Sequence, residues 1–329
     1  MNKSVSVLSL SKKLFKPVFV ILCGIFSLIS FVSVAQTASD IEGKVEESKK
    51  NELSARQKQE IKNPNRKPFT AVIGAMQVEV DLFKLKVHPK RDTVIMGITF
   101  TVGKMRTRDV VVVKSGIGKV NSAMTAALLL EHFNPSEVIF TGIAGGIDSL
   151  LLPGDIVVGD RAAQHDFGQL TTEGITVWQT FDYDETSNPL YFPCDSLLIA
   201  KTQEAGEKAR IKFIRTYDAK RKPTINTGTI VTGDVFVAST QFKNRLEKEF
   251  KAKAVEMEGG AVAQICYQQG VPFVVIRSIS DTADENAAKL YKKFLKVASF
   301  NAAHLVTELI LLLEKGNKKQ INKDKAGKE

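Results

Sequence analysis

"RDVVVVKSGIGKVNSAMTAALLLEHFNPSEVIFTGIAGG", residues 108–146, holds two Val/Ile-rich runs, each ending in a glycine turn, with a helix-like stretch between them. Both runs are too continuously apolar for a strand with one wet face, and read as strands buried on both sides. The intervening "KVNSAMTAALLLEHF" carries small residues that let a helix pack closely on such a sheet. Buried strands alternating with a helix in this way imply a largely parallel sheet covered on both faces.

The same alternation extends outward. On the N-terminal side "FTAVIGAM" turns at Gly74 and Ala75 into a helix-like stretch starting near Gln77. On the C-terminal side come "PGDIVVGDRAAQ", "NTGTIVTGD", a helix near 239–250, "KAVEME", a helix over 258–269, "VPFVVIRSISD", and a long helix from about Asn286 to Leu313. No repeat unit is present, and the simplest partition is one α/β domain over residues 69–314 with a largely parallel sheet covered on both faces. Ligands of such folds sit at the carboxyl ends of strands. Met76, Glu79, the turns 115–118 and 142–146, Thr232 to Val237, Glu256 to Glu258, and Arg277 to Asp281 all fall there, and are expected to converge.

The chain of 329 residues carries a net charge of +10, but the excess is confined to its ends. Residues 1–35 hold four Lys and no acid, 36–68 hold eight basic and six acidic groups, and 315–329 hold six Lys against two acids. The 69–314 domain is left with 28 groups of each sign, so its totals give a nucleic-acid-binding face no support. Residues 315–329 read as a solvated basic tail.

Lys12, Lys13 and Lys16 precede an apolar run from Val18 to Val34, and Ser33 and Ala35 stand at −3 and −1 of a cleavage site before Gln36. This is the layout of a secretory signal peptide, residues 1–35, and points to an exported, periplasmic protein. The alternative is an uncleaved membrane anchor, for which a run of about 17 residues is marginal. Residues 36–68, charged and nearly free of large apolar groups, read as a linker. Cleavage would leave Cys194 and Cys266, which read as buried free thiols or one disulfide. His88, His132, His165 and His304 are scattered without metal-ligand spacing, so no metal is expected.

The familiar glycine motifs fail. "SGIGKV" has Val120 and Val113 where a phosphate loop needs Ser or Thr and Gly, "TGIAGGI" does not fit a dinucleotide fingerprint, and no serine-hydrolase elbow is present. What remains is carboxylates, one Arg and glycine turns, with no cofactor signature. That inventory suits hydrolysis through an oxocarbenium-like sugar, one acid protonating the leaving group and another carboxylate activating water.

"AVIGAMQVEV", "VVVVKSGIGKVNSA", "TGIAGGI", "PGDIVV", "TGDVF", "AVEMEGGAVA" and "VPFVVIRSISDTAD" resemble, in unbroken order over about residues 70–310, the motifs of the methylthioadenosine/S-adenosylhomocysteine nucleosidases of the purine nucleoside phosphorylase superfamily. The resemblance implies a three-layer α/β/α fold with a central mixed, largely parallel sheet, and a hydrolase that releases adenine from a 5′-thio-substituted ribose. By motif position, Glu79 would polarise the attacking water and Asp281 would give a proton to adenine N7. Ser280 would orient Asp281, and Arg277 would lie near the water and sugar. Glu258 would accept from the ribose hydroxyls, Met257 and Met76 would pack on the sugar, Phe236 would stack on adenine, and Val237 would offer it backbone hydrogen bonds. Ile143, Ala144 and Gly145 would complete the binding turn, and a homodimer is implied.

Taken singly, Glu258 also suits a first helical turn and Asp281 an N-cap. Arg277 in an apolar strand needs a functional or ion-pair partner. The family turn usually reads T-G-S-A-G-G, and Ile143 here removes a hydroxyl near the expected water. The aromatic stretch over 165–195, with Trp178, reads as a lid, an interface or a surface loop. A phosphorylase of the same superfamily is the nearest rival, disfavoured because Glu79 would repel phosphate. Deoxyadenosine or futalosine hydrolysis, and an exported non-catalytic nucleoside-binding protein, are the other readings.

Overall fold

Exclusion of water along whole strands accounts for the sheet. In β4 (Arg108–Lys114) Val110, Val111, Val112 and Val113 are fully buried, as are the central residues of β1 (Phe69–Gly74) and β5 (Glu137–Gly146). β1 lies between the other two and parallel to both, Val72 facing Val112 on one side and Ile139 on the other. The computed structural model describes residues 69–216 and 219–326. The expected signal peptide over 1–35 and linker over 36–68 lie outside the described residues.

The sheet continues from β5 to β14 (Phe273–Asp281) in parallel, from β14 to β6 (Ile156–Gln164) antiparallel, and then in parallel through β12 (Ile225–Thr232) to β13 (Ala252–Glu256). β13 returns to β5, setting Val255 beside Gly145 and Ala254 beside Gly146 in antiparallel register. Five strands therefore close on themselves at the end where the glycine turns lie. On the far edge, β2 (Lys90–Ile95) and β3 (Ile98–Met105) extend the sheet antiparallel beyond β4. Sequence reading does not find these two strands, because β2 is mostly exposed and gives no buried run.

Helices cover both faces. α6 (Ala287–Ala326) packs across β14 and β5, with α1 (Gln77–Lys84) and α3 (Ser196–Lys208) against it. α5 (Gly259–Gln268) lies on β12, β6 and β14 with α2 (Lys119–Phe133) beside it, and α4 (Thr240–Phe250) rests on β13 and β12. Three of the small residues of α2, Ser122, Thr125 and Ala126, face inward and are fully buried. Among the described residues, α6 has the one segment long and apolar enough to span a bilayer, Ala287–Glu314, but 61% of its most apolar window is buried. That burial marks a core helix. α6 also runs past the expected end near Leu313 to Ala326, through a Lys-rich stretch that contains no proline.

The 165–195 stretch forms a hairpin of β7 (Gly168–Thr171) and β8 (Gly174–Val177), an irregular segment, and the short β9 (Phe192–Pro193) on the edge of β6. β10 (Ile214–Thr216) and β11 (Ala219–Arg221) pair separately. Cys194 and Cys266 are both buried and free.

Candidate active site

Strand register brings the separated motifs together. β14 sets Arg277 beside Gly142 and Asp281 beside Gly145 of β5, β13 sets Val255 against the same Gly145, and β12 sets Thr232 beside Glu256. Glu79 arrives on the first turn of α1, directly after β1. Between them lies a cleft of about 300 Å³. Of the twelve residues expected at the site, eleven line it; Arg277 does not. Arg277 lies beneath the wall, because its guanidinium is drawn to Glu256 and stacks 4.1 Å over the Phe140 ring.

Glu79 is fixed by both oxygens. Oε2 accepts the Met76 N–H at 2.8 Å, closing the first turn of α1, and Oε1 accepts the Ile143 N–H at 3.0 Å. The backbone at 143 therefore holds the carboxylate while the Ile143 side chain lines the cleft. Glycine is needed one residue earlier: a Cβ at Gly142 would sit 2.5 Å from both Arg277 Nη1 and Glu79 Oε1.

The two carboxylates of "VEME" part company. Glu256 turns inward, accepting from Thr232 Oγ1, from the Gly259 N–H at 2.7 Å, and from both Arg277 Nε at 3.1 Å and Nη2. Glu258 is the residue that begins α5, but its side chain does not cap that helix. Its Oε1 instead accepts the Gly118 N–H at 3.0 Å, and its Oε2 lies 3.8 Å from Arg277 Nη2.

On the other wall Asp281 is the last residue of β14, not the N-cap of α6. Its Oδ1 accepts the Ala283 N–H at 3.0 Å, and its Oδ2 accepts the Ser280 hydroxyl at 2.8 Å. Gly145 leaves room for it, since a Cβ there would meet Asp281 Oδ1 at 3.0 Å. Phe236, 49% exposed, forms the mouth with Tyr291, whose ring meets it edge-on at 6.0 Å and whose hydroxyl lies 3.4 Å from Met76 Sδ.

Three buried carboxylates, Glu79, Glu256 and Glu258, surround the single guanidinium of Arg277. One cation cannot neutralise three anions away from water, so protons must be retained. Burial, then the Glu256 anion, push Glu258 from 4.5 up to about 8 against the pull of Arg277. Burial likewise raises Glu79, opposed by Arg277, and raises Asp281, opposed by the Ser280 hydrogen bond. The cleft thus sets three carboxyls raised by burial, each with its own opposing partner, around an apolar chamber, and acid and base work on one substrate relies on such differences of environment. Among the described residues no group of three or more His, Cys, Asp or Glu is arranged to hold a metal ion.

The family model described as "Phosphorylase superfamily" matches residues 70–311. The 5′-methylthioadenosine/S-adenosylhomocysteine nucleosidase of Psychromonas ingrahamii is 40% identical over 240 residues, 73% of this chain and 96% of that one. The chain belongs to the methylthioadenosine/S-adenosylhomocysteine nucleosidase family. Two crystal structures of such nucleosidases superpose on it. The one from Colwellia psychrerythraea, in complex with adenine, has a TM-score of 0.65 and 35% identity, covering 74% of this chain and 95% of that one. The one from Neisseria meningitidis, in complex with methylthio-immucillin-A, has a TM-score of 0.64 and 34% identity, covering 74% and 98%.

Within this family member, Glu256 and Tyr291 are the site residues that sequence reading leaves without a role. A signal for Glu256 existed: Arg277 stands inside the apolar run of β14, and burial requires an acidic partner for it. Tyr291 had none, because one aromatic in a long helix looks like any other core contact.

Proposed function

We propose that the protein hydrolyses the N-glycosidic bond of 5′-methylthioadenosine, S-adenosylhomocysteine or a related adenine nucleoside, releasing adenine. The observation that carries hydrolysis over phosphorolysis is the lining of the cleft: Glu79 borders it, and its one cationic side chain is Lys292. Ionised Glu79 repels phosphate and stabilises a cationic sugar.

In this reading Glu79 accepts a proton from water held beside it and Ile143. Asp281, its carboxyl pushed above the usual range by burial and oriented by Ser280, donates to adenine N7, because an anionic adenine leaves poorly. Glu258 accepts from the ribose hydroxyls, Met76 and Met257 pack on the sugar, and Phe236 and Val237 hold the base. Arg277 acts through Glu256 and Glu258, from below the cleft. The decisive experiment is adenine release from methylthioadenosine by the purified protein, with and without phosphate. Release without phosphate, lost in Asp281→Asn and Glu79→Gln, is the expected result; dependence on phosphate would make the protein a phosphorylase.

Two further parts of the reading concern setting. A homodimer is supported by exposed apolar residues, Ile117 and Val235 at the cleft and Val120 and Met124 on α2, and light scattering of the purified protein tests it. Export is supported by the basic and apolar layout of residues 1–35. N-terminal sequencing of the mature protein distinguishes a chain beginning near Gln36 from an anchored one.

A further inference from the structure

The Gly118-Lys119 pair, which fits no phosphate loop, closes a ring of hydrogen bonds outside the cleft. Lys119 opens α2, and its two nitrogens go to two different carboxylates. The backbone N–H donates to Asp234 Oδ1 at 2.8 Å, and Nζ donates to Asp166 Oδ1 at 2.6 Å. Asp166 offers its second oxygen to the backbone N–H of Asp234, 2.7 Å away. The ring joins the chain after β6, the chain after β12 and the start of α2. The Lys119 and Asp166 side chains are only 18% and 16% exposed, so their pair is less screened than a surface one. Gln164 Oε1 accepts a further bond from Nζ at 3.1 Å.

The neighbours of the ring give it its consequence. One residue before Lys119, the Gly118 N–H donates to Glu258 Oε1. Directly after Asp234 come Val235, Phe236 and Val237, which wall the cleft where the base is held. None of Lys119, Asp166 and Asp234 lines the cleft. Beneath the loop sits His165, buried and edge-on to Phe242 at 5.6 Å, with neither ring nitrogen partnered. It presses so close to Gly233 that a Cβ there would lie 2.4 Å from Nε2. The loop is therefore seated from below by the imidazole and pinned from the side by Asp166.

We propose that Lys119, Asp166 and Asp234 are positioning residues that couple recognition of the ribose, through Gly118 and Glu258, to recognition of the base, through Val235 to Val237. The inference rests on the nucleosidase reading for what the cleft binds. Loss of the ring lets the base wall and the ribose donor move independently, and a carboxylate displaced from its donor no longer reports the ribose hydroxyls to catalysis.

The test compares Lys119→Met and Asp234→Ala with the conservative Lys119→Arg and Asp234→Asn in the full chain, on methylthioadenosine and its 2′-deoxy analogue. Asn keeps an oxygen that accepts the Lys119 N–H; Ala does not. The disrupting variants are expected to lose about tenfold or more in kcat/KM on the ribonucleoside and clearly less on the deoxy analogue, so that discrimination between the two shrinks. Asp234→Asn is expected to restore the discrimination. Amide hydrogen exchange at Lys119 and Asp234 gives a readout independent of turnover: both amides are protected in the native chain and lose protection in Lys119→Met. Variants that lower Tm yet keep full discrimination, or an Asn variant as impaired as Ala, overturn the proposal. A chain that releases no adenine but shows the exchange pattern removes the nucleosidase reading while supporting the ring, and an Asp234 amide unprotected in the native chain overturns the ring itself.

Discussion

Glu256 grips Arg277 from beneath the cleft, with the two side chains 2% and 1% exposed. Removing Arg277 leaves three buried carboxylates without their cation, whereas removing Glu256 leaves Arg277 still facing Glu258 and Glu79. Arg277→Met is expected to cost about 3–5 kcal/mol, and Glu256→Ala clearly less. Denaturant unfolding of the two variants checks this. Arg277→Met with native stability would mean that the pair is not the anchor its burial implies.

Gly142 tests the geometry without removing any functional group. Alanine there places a methyl against the Arg277 guanidinium and the Glu79 carboxylate, both held by other bonds. Gly142→Ala is expected to destabilise by about 1–3 kcal/mol. It should also lower kcat by an order of magnitude or more by displacing Glu79, since misplacement by about 1 Å can cost as much as 100-fold. Steady-state kinetics beside thermal unfolding separate the two effects, and native kcat would show that the carboxylate is not held where catalysis needs it.

The order of buried strands was readable because continuous Val/Ile runs such as Val110 to Val113 have one physical explanation, burial on both faces. Asp281, Ser280, Glu79 and Glu258 were readable for a different reason: each falls in a motif that carries the family resemblance, at a strand end or in the turn after it, and all four line the cleft. Closure of β13 onto β5 was not, since periodicity reports which faces are buried and says nothing of which edges meet. The edge strand β2 was hidden by exposure, and the placing of Arg277 beneath the wall followed only once the partner of Glu256 was seen. The Lys119 ring is the extreme case. Its three members lie in three segments, each individually indistinguishable from a solvated turn residue.

Phe236 lines the cleft with about half its surface exposed and its ring nearly perpendicular to that of Tyr291. Stacking of a base on an aromatic side chain contributes about 1–3 kcal/mol. Phe236→Ala is therefore expected to raise KM about tenfold or more with a smaller change in kcat. Leucine at the same position recovers the apolar contact but not the stack. Competition by free adenine, which lacks the sugar, should weaken in parallel, and an unchanged adenine inhibition constant would place the base elsewhere.

In the proposed mechanism Asp281 and Glu79 set opposite limbs of the activity profile. The acid form of Asp281 donates, and it is lost as pH rises through a value that burial holds above the usual carboxylate range. The ionised form of Glu79 accepts, and it is lost as pH falls through a value also raised by burial. The kcat profile is expected to be a bell whose acid limb lies above pH 4.5, the ordinary value for Glu. Asp281→Asn should remove the alkaline limb and lower kcat by about 100-fold to 10,000-fold, the usual range for a general acid. An alkaline limb that survives in Asp281→Asn would assign the donor to another group.

Glu258 links proton, stability and ligand. Its carboxyl is raised from 4.5 to about 8 in the folded chain, so between these values the folded state binds a proton that the unfolded state has released. Stability contributed by this group is full below pH 4.5 and is lost as pH rises through about 8. Glu258→Gln removes that dependence, and its Tm relative to the parent is expected to improve steadily over the same interval. Ribose hydroxyls act in the other direction, because hydrogen bonds donated to a carboxylate favour its ionised form. Nucleoside binding is therefore expected to expel a proton near neutral pH and to tighten up to about pH 8, where the group is already ionised. Calorimetric titration of a slow nucleoside analogue, in two buffers of different ionisation enthalpy, measures the proton directly. Release in the parent and none in Glu258→Gln is the expected pair of results; equal proton release in both would show that the titrating group is not Glu258.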